Sequence, residues 1–146
     1  MALSKRDREG FLAEHSLVAT LSVAGQQGRG PLAVPVWCQY CVGEEPWLIT
    51  FAASRKVGLI NAAGAFTLTV ARSEPTVRYV SVEGTLGRLG ETNEDQLEEV
   101  AARYLSGDAL NDYLEVNRPR LDELVTVYMV PTQWNSGELG ADYRQA

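Results

Sequence analysis

Apolar and polar positions alternate along several stretches of this chain, and that period of two is the signature of half-buried strands. Residues 16–23 carry Leu17, Val18, Ala19, Thr20, Leu21 and Val23, and residues 31–42 continue with Leu32, Val34, Val36, Trp37 and Tyr40. Gly25, Gly28 and Gly30 between them suit a hairpin turn, which makes the pair antiparallel. A second turn, Gly43-Glu44-Glu45-Pro46, leads into Trp47-Leu48-Ile49-Thr50-Phe51, so three strands are expected in succession as a meander. Residues 65–71 alternate through Phe66, Leu68 and Val70, and residues 76–86 through Val80 and Val82, with Ser73-Glu74-Pro75 as the turn. Gly84 marks a bulge or a close backbone approach. A last strand is expected over residues 123–130, stopped by Pro131.

The remaining apolar positions follow helical spacing. Ser4 with Asp7 three residues on starts a short helix over residues 4–14, Phe11 and Leu12 forming its apolar patch and His15 standing at its C-terminal end. Ser54 can cap a helix running to residue 63, with Val57, Leu59 and Ile60 for burial and Gly64 to end it. The clearest amphipathic helix follows Asn93-x-x-Gln96, where Leu97, Val100, Ala101, Tyr104 and Leu105 fall at i, i+3, i+4, i+7 and i+8. Residues 108–116 form another, with Leu110, Tyr113 and Leu114 on one side, until Arg118-Pro119 breaks it. Trp134 then stands in a polar tail, where it either frays or packs against something else. Six mostly sequential strands, with no helix placed as a crossover, predict a mainly β fold: a six-stranded antiparallel sheet closed into a small barrel, with flanking helices.

Composition narrows the function classes. A length of 146 residues fits one domain over 1–146, with an N-terminal helix in 1–15 and a C-terminal tail in 131–146. The net charge of −6, with cations scattered, argues against a nucleic-acid partner, which needs a basic stripe. No stretch approaches the length of a membrane span and no apolar run follows Met1, so no membrane is expected and a cytoplasmic protein is. Cys38 and Cys41 form a C-x-x-C, but on a strand an offset of three sends them to opposite faces. With a single histidine and no other cysteine, metal is not expected and both are read as structural.

One stretch carries chemistry. Thr50-Phe51-Ala52-Ala53-Ser54-Arg55-Lys56 lies where a strand gives way to a helix. It brings hydroxyls, two adjacent cations and unpaired helix amides together, which is what a phosphate requires. The plainer alternative is a capped surface helix with a solvated cationic face. No triad, paired-carboxylate site or other catalytic residue is recognisable.

Four segments in order resemble the split β-barrel flavin-binding family of the pyridoxamine 5′-phosphate oxidases and the flavin- or deazaflavin-dependent reductases. They are Phe11-Leu12-Ala13-Glu14 leading into Val18-Ala19-Thr20-Leu21; Gly30-Pro31 leading into Val34-Pro35-Val36-Trp37; Thr50-x-x-x-Ser54-Arg55-Lys56; and Arg78-Tyr79-Val80-Ser81-Val82-Glu83-Gly84-Thr85. The resemblance implies an FMN-binding barrel, in which Thr50, Ser54, Arg55 and Lys56 hold the cofactor phosphate. Pro35, Val36 and Trp37 would line the flavin ring, with Ile49 beside them. Tyr79 lies near the cofactor, and Trp134 reaches it from the partner subunit. It further implies FMN, or alternatively F420, a small-molecule substrate, and a homodimer with two cofactors across its interface. The expected activity is hydride transfer by an oxidoreductase; the alternative is a non-catalytic cofactor binder or sensor. The tail after Trp134 has no histidine and only Arg144, which sets the chain apart from true pyridoxamine phosphate oxidases.

Overall fold

The computed structural model describes residues 2–14 and 17–140; His15 lies outside them. Helix α1 (Lys5–Leu12) precedes strands β1 (Ala19–Val23), β2 (Leu32–Val36), β3 (Cys38–Gln39) and β4 (Trp47–Phe51). Helix α2 (Arg55–Ala63), strands β5 (Ala65–Arg72) and β6 (Val77–Glu91), helices α3 (Glu94–Tyr104) and α4 (Gly107–Asn117), a 3₁₀ turn (Arg118–Glu123) and β7 (Leu124–Leu139) follow. No helix among the described residues is long and apolar enough to cross a membrane.

The strands form one antiparallel sheet in the order β2-β1-β5-β6-β7-β4-β3. Its inner face gathers Leu21, Leu48, Leu68, Val70, Val80, Val82, Val127 and Met129, all fully buried. Leu12 of α1 and Ile60 of α2 pack against the same core. Each such side chain stabilises the fold by about 1.5–3 kcal/mol relative to exposure. A satellite core of Leu97, Ala101, Leu114 and Leu124 binds α3 and α4 to the end of β4, with Trp37, Ile49 and Tyr113 packed on it.

Four expectations are corrected. The sheet has seven strands where six were expected, because the segment over residues 31–42 is two strands, interrupted at Trp37. β2 and β3 occupy opposite edges although one residue separates them, so the sheet curls until its edges meet at Trp37, and it is not closed by hydrogen bonds into a barrel. The break has a local cause. The Tyr104 hydroxyl accepts the Cys38 N–H at 3.1 Å and faces the carbonyls of Cys38 (3.1 Å) and Leu17 (3.2 Å), supplying there what a strand ladder would.

The meander is broken at the same point: β1 pairs with β2 and β3 with β4 as expected, but β2 and β3 lie apart, and β1 pairs further with β5 and β4 with β7. Finally, Pro131 does not stop the last strand, which runs through Trp134 to Leu139. Beyond Tyr128, β7 has only β6 beside it, so a proline without an N–H is tolerated on that free edge. At the same place Glu83 pairs with Gln133 and Gly84 with Pro131, which leaves Thr132 as the extra residue of a bulge. Gly84 is needed there, since a Cβ would overlap the Met129 side chain and the Val130 carbonyl.

The helices match their sequence signals closely. Ser4 accepts the Asp7 N–H at 3.1 Å, Asn93 and Gln96 form a reciprocal capping box, and Gly64 ends α2 at φ 74°. Arg118-Pro119 turns α4 into the 3₁₀ segment. Cys38 is buried and Cys41 is exposed, so only the first fills the core.

Candidate functional site: a cleft between Trp37 and the start of α2

The last residues of β4 deliver the chain to α2 through a tight turn in which the Ser54 N–H donates to the Phe51 carbonyl at 2.9 Å. Ser54 takes the N-cap position in extended conformation, but its hydroxyl caps no amide. It lies instead 3.5 Å from the Thr50 hydroxyl. α1 and α3 use a capping side chain, whereas α2, like α4, leaves its first amides free of one. The first turn of α2 also holds Arg55 and Lys56 and no acidic residue. Cations at the positive end of a helix oppose its dipole, by about 0.3–1 kcal/mol each, unless an anion is shared between them. Among the described residues neither Arg55 nor Lys56 makes an ion pair.

Beside this helix end a cleft of about 270 Å³ opens, lined by Pro35 and Val36 of β2, Trp37, Ile49, Thr50 and Phe51 of β4, and Lys56 of α2. Tyr113 and Asn117 of α4 and Leu124 of β7 complete it. Thr50 and Lys56 supply polar groups near the helix end while Pro35, Val36, Trp37, Ile49 and Leu124 supply an apolar wall, the pattern of small-molecule sites.

Two aromatic rings pack against Trp37. Tyr104 stacks on it with centroids 5.0 Å apart and planes 11° apart, and Tyr113 leans on it at 5.1 Å and 45°. Burial and the neighbouring Cys38 push the Tyr104 phenol up to about 12, so it is a neutral hydrogen-bonding group throughout the physiological range. Burial also raises the Tyr113 phenol. Asn117 donates its side-chain N–H to the Tyr113 carbonyl at 2.8 Å, which leaves its amide oxygen available to the cleft.

The expected site residues divide. Pro35, Val36, Trp37, Ile49, Thr50 and Lys56 line this one cleft. Ser54 touches Thr50 at its rim, and Arg55 is exposed in the same first helical turn. Tyr79 and Trp134 line no part of it. Tyr79 sits on β6 opposite Ala71 and Gly137. Trp134 is not a fraying residue: it pairs with Val82, carries the Arg8 guanidinium 5.0 Å from its ring centroid, and meets Tyr40 edge-on at 6.1 Å. Phe51, Tyr113, Asn117 and Leu124 were missed. Tyr113 lay on the apolar side of the predicted α4, a usable signal; Asn117 follows it four residues on, on the same helical face, but one residue past the predicted end of that helix.

A larger surface cavity lies elsewhere, about 800 Å³ between α1 and Arg78. Lys5, Arg6 and Arg78 face Asp7, Glu9 and Glu14 around it, a mixed-charge groove that selects no ligand class.

No family model and no curated protein matches the chain. Solved structures do. An F420 reductase superposes with a TM-score of 0.67 at 19% identity, over 86% of this chain and 94% of its own. A conserved hypothetical protein from Mycobacterium tuberculosis gives 0.70 at 24% identity, over 93% and 85%. A FAD-binding protein from Mesorhizobium loti gives 0.64 at 17% identity, over 96% and 98%. At such identities the likeness is one of fold. The structural neighbours of this chain are therefore those expected from its resemblance to the pyridoxamine 5′-phosphate oxidase-like and F420-dependent split-barrel family.

Proposed function

We propose that this chain is a split-barrel oxidoreductase that holds FMN, or alternatively F420, and passes hydride to a small molecule. The observation that supports it most is the coincidence, at one end of β4, of an apolar cleft floored by Trp37 with an uncapped helix carrying Arg55 and Lys56. The donor set fits the group: hydroxyls of Thr50 and Ser54, two cations and free amides suit a phosphate, and Pro35, Val36, Trp37 and Ile49 suit a planar ring. Each charge-assisted hydrogen bond there would contribute about 1.5–3 kcal/mol. When bound, the cofactor supplies the hydride chemistry itself. The residues of this chain bind it, orient its ring against Trp37 and exclude water.

The proposal includes a single cytoplasmic domain acting as a homodimer. Tyr79 and Trp134, which lie away from the cleft of their own chain, would approach the cofactor of the partner. The F420 reductase and FAD-binding names among its structural neighbours lend support to a flavin-type ligand.

The test is spectroscopic. Purified protein loaded with FMN, and separately with F420, should retain one chromophore through gel filtration, and NAD(P)H or reduced deazaflavin should bleach or exchange with it. Failure to retain either removes the cofactor site. Retention without turnover replaces the oxidoreductase with the non-catalytic binder.

A further inference from the structure

The cleft does not end at the helix terminus. On the far side of Ser54 a second cavity of about 510 Å³ is lined by Phe51, Ala52, Ala53, Ser54, Arg120 and Glu123. Phe51 belongs to both cavities. Thr50 lines the first and Ser54 the second, and their hydroxyls are 3.5 Å apart, so the two spaces meet at the N-terminus of α2. Ala52 donates its N–H to the Glu123 carbonyl at 2.9 Å, which ties the turn before α2 to the 3₁₀ segment.

The chemistry of the second cavity differs from that of the phosphate seat. The Arg120 guanidinium lies 4.5 Å from the centroid of the Phe51 ring and is held there by Glu123, through Nε at 3.0 Å and Nη2 at 3.4 Å. Arginine and carboxylate cancel, so an anionic tail would meet Glu123 and have to displace it. An uncharged planar heterocycle meets no such opposition. It gains the outer face of a guanidinium plane already backed by the Phe51 ring, and a carboxylate to accept hydrogen bonds from an exocyclic amino group. Both charged side chains are about half exposed, at 49% and 52%, so opening the pair to admit a ring costs little. Ala52 and Ala53 leave the floor free of bulk.

We infer that the second cavity receives the nucleoside half of a dinucleotide whose phosphates sit at the start of α2 and whose flavin ring lies on Trp37. This rests on the cofactor site proposed above and narrows it: a mononucleotide ends at its phosphate and leaves the second cavity unused.

Calorimetric titration of FMN and FAD into the wild type, Ala53→Trp and Arg120→Ala proteins tests it. Ala53 and Arg120 are exposed, and an unchanged urea midpoint verifies that each variant is folded. FAD should bind the wild type about tenfold more tightly than FMN. Ala53→Trp fills the second cavity and Arg120→Ala removes its stacking plane. Each should erase that advantage and leave FMN affinity within about twofold. FMN binding as tightly as FAD, or an FAD advantage that survives both variants, overturns the second cavity alone. Binding of neither flavin to the wild type overturns this inference, and failure of F420 to bind as well overturns the cofactor site beneath it.

Discussion

The Trp37 indole lies nearly flat on the Tyr104 ring, 5.0 Å between centroids, while the Tyr104 hydroxyl holds the backbone of Cys38, the next residue along. One side chain of α3 thus fixes both the point where the sheet edge is interrupted and the floor of the cleft. Tyr104→Phe keeps the stack and removes the hydroxyl, leaving the Cys38 N–H without its partner. It should destabilise the fold by about 1–3 kcal/mol in urea denaturation. An unchanged midpoint would mean that water replaces the hydroxyl at no cost.

The same residue predicts a pH dependence. Burial, with Cys38 adding to it, raises the Tyr104 phenol from 10 to about 12. The folded state thus favours the neutral phenol, and the associated stability is complete below the unfolded value of 10 and is lost as pH rises towards 12. Screening at the partly exposed ring reduces the effect to on the order of 1 kcal/mol. The stability gap between wild type and Tyr104→Phe should therefore hold steady up to about pH 9 and narrow from about pH 10 towards about pH 12. A gap independent of pH would contradict the assignment.

Arg103 is only 4% exposed and donates to the Gln39 side-chain oxygen (2.9 Å) and to the carbonyls of Leu12 (2.9 Å) and Glu14 (2.8 Å). It places a cation at the C-terminal end of α1, whose own last turn has no basic residue. Arg103→Met should cost about 2–4 kcal/mol, since several buried acceptors lose their donor at once. Hydrogen exchange should show α1 losing protection before the sheet does. Equal protection in the variant would detach α1 from this contact.

Gly84→Ala tests the bulge. The added methyl meets the Met129 side chain and the Val130 carbonyl, so the variant should lose about 1–3 kcal/mol by overpacking. Calorimetric melting checks it, and an unchanged transition would show that β7 can shift at no cost.

Much of this was legible in the sequence because it is local. Asn93 with Gln96, Gly64 after α2, and the alternation of Phe66, Leu68 and Val70 each depend on neighbours a few residues away. The interruption at Trp37 was not legible, since Leu32 to Tyr40 alternate smoothly and the competitor for the Cys38 backbone comes from Tyr104, on another element. Pro131 misled for a related reason: a proline ends a strand that is paired on both sides, but β7 has lost β4 by that point. The residues proposed as the phosphate seat, Thr50, Ser54, Arg55 and Lys56, fall within seven positions and could be picked out from sequence alone. The α4 wall of the cleft, Tyr113 and Asn117, could not be assigned to a ligand without the packing of α4 on Trp37.

The central claim is that Arg55 and Lys56 at the uncapped start of α2 hold a cofactor phosphate beside the Trp37 cleft. Calorimetric titration of FMN and of F420 into the wild type and the Arg55→Ala, Lys56→Ala double variant tests it most directly. Arg55 is exposed and Lys56 half-buried, so the urea midpoint should hardly move. Affinity for whichever cofactor the wild type binds should fall by about 3–6 kcal/mol, the loss of two charge-assisted contacts. Equal affinity in wild type and double variant would contradict the phosphate seat.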